Sequence, residues 1–182
     1  MSSRQTVSPR RLGPPGPSDA ELEAIFQMAA TAPDHGHLVP WRFVVVPGAK
    51  RPRLARAFAL ALIDRDATAT PEQIAAAEEK AYRAPFLMLA VVRLAQTGDA
   101  IPDTERMVSA GCAIQNVLLA AHALGYGAAL SSGQAMQSPR LHARFSLQAH
   151  ERPLCCISIG TVTRHKAPAR VRPSPEVFSS SL

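Results

Sequence analysis

The sequence is short of aromatic residues, cysteines and acids. Aromatic residues make up 5% of its 182 positions, with a single tryptophan. None is interleaved with the basic residues, so a stacking platform for single-stranded nucleic acid is not expected. Three cysteines, two of them adjacent as Cys155-Cys156, do not make a disulfide framework. No CxxC pair is present to hold a structural zinc. Buried free thiols in a reducing cytoplasm are expected instead. Long apolar runs are also missing. The longest, Ala84–Val92 with its one proline and Val117–Ala121, are too short to cross a bilayer, so no membrane span is expected. Residues 1–17 hold no acid and no apolar segment of the kind a secretory signal needs. Their Arg- and Ser-rich composition is faintly that of a transit peptide, but Pro9, Pro14, Pro15 and Pro17 disfavour the amphipathic helix such a peptide forms.

Several catalytic motifs are absent. There is no GxGxxG after a strand, no GxxxxGK[ST], no GxSxG elbow and no HExxH. Asp34, His35 and His37 sit close together, but two histidines in one loop with no fourth ligand do not point to a metal. His122, on an apolar helix, reads as a satisfied core histidine, and Glu105 as a partner of a helix dipole.

Lys and Arg number 20 against 14 acids, a formal net charge of +6. Such a balance favours anionic partners. The basic charge gathers at the two ends, in Arg4, Arg10 and Arg11 and in Arg164, Lys166, Arg170 and Arg172. These are either solvated tails or the grip for a phosphate. Apolar residues form 47% of the chain, enough for one domain over 1–182 with an N-terminal arm (1–17) and a C-terminal tail (163–182).

Within it, Ser18 and Glu21 form a capping box ahead of a helix over 20–31 that Pro33 ends. Buried strands are expected at 41–46, 86–94 and 154–161, with a short one at 126–130. Helices are expected at 50–63, 71–82, 103–124 and 138–146. The 103–124 helix carries Met107, Ala110, Ile114, Val117, Ala121 and Leu124 at helical spacing, is apolar nearly all round from Val117 onward and should therefore be the central buried helix. Its small residues Ser109-Ala110-Gly111-Cys112-Ala113 let another backbone approach closely. The class is therefore α+β, a sheet sandwiched by helices. Val177 and Phe178 have nothing local to bury them, which points to a partner subunit. What remains is a site of loops, backbone and basic groups, suited to a bound cofactor that carries the chemistry.

The residues 32–43, APDHGHLVPWRF, resemble the APDH…PWRF loop of the minimal, YdjA-like branch of the nitroreductase family. Residues 109–116, SAGCAIQN, are similar to its SAGxAxQN helix, and 118–127 continue into its turn. Arg83-Ala84-Pro85 and Ile159-Gly160-Thr161 fit in order and spacing. The resemblance runs from about Arg4 to Phe178. It implies a nitroreductase-like α/β sandwich with a central mixed sheet. It implies a homodimer with two FMN at the subunit interface, NAD(P)H as reductant and a nitroaromatic, quinone or similar small molecule as acceptor. No side chain is implied as a dedicated acid or base. The branch's Arg-Arg-Ser falls on Arg4-Gln5-Thr6, with Arg4 on the phosphate. Its contact at the end of the first helix falls on Thr31 and its loop histidine on His35. Its Trp-Arg-Ser-Gly segment falls on Leu130-Ser131-Ser132-Gly133. Gln5, Thr31 and Leu130-Ser131 thus stand where relatives carry cations or an aromatic. Loss of those cations implies weaker flavin binding unless Arg164, Lys166 or Arg170 compensates. A degenerate member that has lost FMN and acts as a binding protein is the alternative, and a basic nucleic-acid module a more distant one.

Overall fold

The computed structural model describes residues 3–164 and 172–182. Helix α1 (Asp19–Ala29) starts where the sequence says it should. The Ser18 hydroxyl accepts the Glu21 N–H while the Glu21 carboxylate accepts the Ser18 N–H, so two orphan donors are satisfied reciprocally. Thr70 and Gln73 repeat the device at α3 (Pro71–Glu79). The other helices are α2 (Arg51–Arg65), α4 (Asp103–Ala123) and α5 (Pro139–Arg144). The strands are β1 (Leu12–Gly13), β2 (Trp41–Val45), β3 (Phe86–Arg93), β4 (Gly127–Ser131) and β5 (Glu151–Val162).

Strand β5 is the spine of the sheet. One edge pairs with β3, from Phe86 opposite Ile159 to Arg93 opposite Glu151. The other edge pairs with β4, from Gly127 opposite Gly160 to Ser131 opposite Cys156, and β1 continues that side at Thr161 and Val162. Strand β2 lies beyond β3. Every one of these pairs is antiparallel. The sheet is mixed only through an isolated parallel bridge between Thr6 and Ala128, where the Val7 N–H donates to the Ala128 carbonyl at 3.0 Å.

Side chains alternate across a strand, and both faces of this sheet are covered. Met88, Ala90 and Val92 pack under α1 and α4, whereas Leu87, Leu89 and Val91 pack under α2, α3 and α5. Cys155 and Cys156 therefore belong to opposite layers, and both are buried free thiols. Helix α4 turns Ala110, Ala113, Val117 and Ala121 into the core with no exposure. Its first half is not buried all round as a central helix would be: Met107 and Val108 are 45% and 65% exposed. No described helix is long and apolar enough to cross a membrane.

Strand β5 begins three residues earlier than its apolar run. Pro153 has no N–H to give a ladder. It is accommodated because the register with β3 shifts between Ala90 and Val91, a bulge at which that donor is not needed. At the other end Gly160 meets a wall. A Cβ there would lie 2.7 Å from two ring carbons of Pro85 and 3.0 Å from the Gly13 carbonyl. Gly160→Ala is expected to cost about 1–3 kcal/mol of stability through overpacking. Urea unfolding checks this, and an unchanged midpoint would contradict the packing described.

Candidate functional site

Strand β4 ends in Ser131-Ser132-Gly133, and the chain then enters a short 3-10 turn over Gln134–Gln137. Nothing lies within 4 Å of the space a Gly133 side chain would fill. This corner opens onto a cleft of about 600 Å³ between β4, the ends of α2 and α3 and the arm. Pro9 borders it, Cys156 and Ser158 of β5 floor it, and three cations, Arg65, Lys80 and Arg83, stand on its wall. A volume of this size suits a small-molecule or cofactor pocket.

The cations arrive there by packing. Helix α3 stops at Glu79, and a 3-10 turn over Lys80–Tyr82 swings Lys80 and Arg83 toward β4. Arg83 donates to Glu79 at 3.0 Å, which holds the Glu79 carboxyl below its usual range; Arg10 reaches the same oxygen at 3.5 Å. The Nε–H of Arg83, by contrast, is buried and has no partner among the described residues. A buried donor left unmade is costly, and a ligand acceptor would satisfy it. Burial and the charges of Arg83 and Arg65 lower the pKa of Lys80. Burial pushes the Cys156 thiol up to about 12, so it faces the cleft as a neutral group.

A second cationic pole lies at the far end of the arm. The arm runs parallel to β4, so its order along the sheet edge follows that of the strand. Pro9 reaches the cleft, and Arg4 lies back toward the start of β4, roughly 16 Å away for five extended residues. There the Ser3 hydroxyl meets His122 Nε2 at 3.0 Å, and the Arg172 guanidinium donates to the Arg4 carbonyl. His122 is thus half-buried and engaged by the arm, not a core histidine. Of the tail cations proposed to compensate, Lys166 and Arg170 lie outside the described residues and Arg164 is exposed. Among the described residues, Arg172 is the tail cation that touches the arm.

The nine candidate cofactor residues fall into two groups. Arg4, Gln5, Thr6, Leu130, Ser131, Ser132 and Gly133 follow one edge, along the arm and β4, with Leu130 44% exposed. Thr31 and His35 stand apart, and of the nine residues Ser131, Ser132 and Gly133 line the cleft. The Thr31 hydroxyl donates to the Met28 carbonyl and accepts from Asn116 of α4. His35 Nδ1 is 2.6 Å from a carboxylate oxygen of Glu105. Glu105 is therefore more than a dipole partner, since it ties the loop to the first turn of α4. That pair flanks the exposed α4 residues Met107 and Val108. Arg65, Lys80 and Arg83 were not among the expected site residues. Arg83 stands out in the sequence only as part of the Arg83-Ala84-Pro85 motif, Lys80 lies on the polar 71–82 helix and Arg65 falls beyond the 50–63 helix; only the packing of α3 on α2 brings them together. Among the described residues, no group of three or more His, Cys, Asp or Glu side chains is placed to hold a metal ion.

The chain was compared with known proteins. The family model described as "Nitroreductase family" matches residues 2–161. A Haemophilus influenzae protein named "Putative NAD(P)H nitroreductase" is 33% identical over 154 residues, covering 85% of this chain and 83% of that one. The Escherichia coli YdjA protein, under the same description, is 30% identical over 181 residues, covering 98% and 94%. Among solved structures, a nitroreductase-like protein from Bacillus cereus superposes with a TM-score of 0.80 at 20% identity, covering 100% of this chain and 92% of that one. A Desulfitobacterium hafniense nitroreductase with bound FMN superposes with a TM-score of 0.68 at 21% identity, covering 98% and 94%. With an α+β sheet of this order and a family match along most of its length, the chain belongs to the nitroreductase family.

Proposed function

We propose that this protein is an FMN-dependent NAD(P)H oxidoreductase that delivers electrons to a nitroaromatic, quinone or similar acceptor. One observation carries the reading: the arm and β4 run together between two cationic poles, Arg4 with Arg172 at one end and Arg65, Lys80 and Arg83 at the other. An elongated ligand with a phosphate at one end and a polar ring at the other fits that track. The unpartnered Arg83 Nε–H and the space around Gly133 are what a ring with carbonyl acceptors would fill.

Bound FMN would supply the redox chemistry, carrying two electrons from NAD(P)H to the acceptor. The chain's own residues bind and orient it. Arg4 holds the phosphate, for which a guanidinium fork is well shaped. Thr6 and the hydroxyls of Ser131 and Ser132 offer hydrogen bonds along the track, and Gln5 keeps hydrogen bonding where relatives carry charge. Lys80 and Arg83 supply the positive charge that the substitutions at Gln5, Thr31 and Leu130-Ser131 take away. Thr31 and His35 serve a second copy, across the exposed face of α4, in a homodimer that shares its two cofactor sites. Three free thiols fit a reducing, cytoplasmic setting.

The test uses FMN and riboflavin, which differ only in the phosphate. Purified protein should show a flavin absorption spectrum or gain one on incubation with FMN. Arg4→Ala should weaken FMN by about tenfold or more, the worth of one charge-assisted contact, and leave riboflavin nearly unchanged. Protein that is colourless and cannot be reconstituted would end the reading in favour of a degenerate binding protein. Equal losses for both flavins would remove Arg4 from the phosphate.

A further inference from the structure

Arg51 opens α2 and is 6% exposed, yet among the described residues no carboxylate lies within 4 Å of it. Its guanidinium is used entirely on main-chain carbonyls. Nε donates to Val46 at 3.0 Å, one terminal nitrogen to Ala81 at 2.6 Å and Ala84 at 3.2 Å, and the other to Pro85 at 3.1 Å. A buried charge without a counter-ion is expensive, and here main-chain carbonyls alone offset the cost. The cost calls for a role beyond filling space.

The acceptors indicate that role. Ala81 directly follows Lys80, and Ala84 directly follows Arg83. One terminal nitrogen thus clamps the backbone next to both cations of the cleft wall. Burial lowers the pKa of Arg51, and the Arg51 charge works to lower that of the Cys156 thiol on the cleft floor.

We infer that Arg51 is a positioning residue for the flavin cleft: its planar fork fixes the Lys80–Pro85 turn so that Lys80 and Arg83 face the ligand and favour its reduced, more negative form. The inference rests on the FMN reading above. Lysine keeps the charge but cannot reproduce a planar four-acceptor fork.

The experiment compares wild type, Arg51→Lys, Lys80→Met/Arg83→Met and the triple variant, all as full chains reconstituted with FMN. Affinities for oxidised and dithionite-reduced FMN are measured, with thermal unfolding alongside. Arg51→Lys should lose about tenfold in its preference for reduced over oxidised FMN, a fall of about 30 mV in the two-electron midpoint potential. In the Lys80→Met/Arg83→Met background the same change should add little, because the groups it positions are gone. A lower melting temperature with an unshifted potential makes Arg51 a core filler and overturns the inference. So does full additivity in the triple variant. If Arg51→Lys does not fold, the wild-type protein still decides: the Arg51 Nε–H resonance should move when bound FMN is reduced, and a resonance that stays put overturns the inference. Wild-type protein that binds no FMN is a different result, and it removes the reading beneath the inference.

Discussion

Replacing Lys80 and Arg83 together with methionine is expected to weaken FMN binding by about 10²-fold or more while the protein stays folded. A hydrogen bond to a charged group is worth about 1.5–3 kcal/mol when the alternative is an unmade contact. Arg83 belongs in the upper part of that range, because its Nε–H is already buried and without a partner. Lys80 belongs in the lower part, because it is partly open to water. The fold should tolerate the change, since the one ion pair it breaks, Arg83 with Glu79, is an exposed i,i+4 pair on Glu79's side and worth little. FMN titration followed by flavin fluorescence checks the loss, and far-UV circular dichroism checks the fold. Affinity within threefold of wild type would mean that the cleft wall does not touch the cofactor.

The largest effect on stability is expected at Arg42 and Glu151. Glu151 opens β5 with its side chain 5% exposed, and Arg42 of β2 meets it through two bonds of 2.6 and 2.7 Å. The Gln148 N–H adds a third at 3.0 Å. Together these hold the Glu151 carboxyl at about 2, well below its ordinary 4.5. A gap of that size is on the order of 3 kcal/mol. Between those two pH values the unfolded chain binds the proton and the folded chain does not. The contribution is therefore complete above pH 4.5 and drains away as pH falls to about 2. Arg42→Met leaves a buried carboxylate unpaired and should cost about 3–5 kcal/mol at pH 7. The difference between variant and wild type should shrink steadily below pH 4.5, and urea unfolding across that range measures it. A difference that does not depend on pH would show that the loss comes from packing of the Arg42 stem.

Secondary structure was readable where local physics decides it. The 103–124 periodicity and the Ser18 capping box reappear as α4 (Asp103–Ala123) and the start of α1. Reading fails where a distant partner decides. The two-residue β1, followed directly by Pro14, exists because β5 is long enough to offer it an edge at Thr161 and Val162. The start of β5 was hidden by Pro153, whose bulge depends on β3. The site divides the same way. Motif residues of the arm and the β4 corner fall along one track, whereas the cleft cations come from the end of α2 and from the turn after α3, whose meeting no spacing announces. Glu105 meets His35 across 70 positions of sequence, and periodicity carries no trace of that pairing.

Among the described residues, the first eight positions of the arm meet the rest of the chain through few hydrogen bonds: the Val7–Ala128 bond, the Ser3–His122 contact and the Arg172 link to Arg4. None of its residues before Leu12 belongs to the buried core. The phosphate grip proposed for Arg4 and the buried core thus lie in separate stretches of the polypeptide. A nick or a bulky fusion within the first eight positions is expected to leave a well-folded body that has lost the proposed phosphate contact, so a healthy melting curve is no certificate of an active preparation.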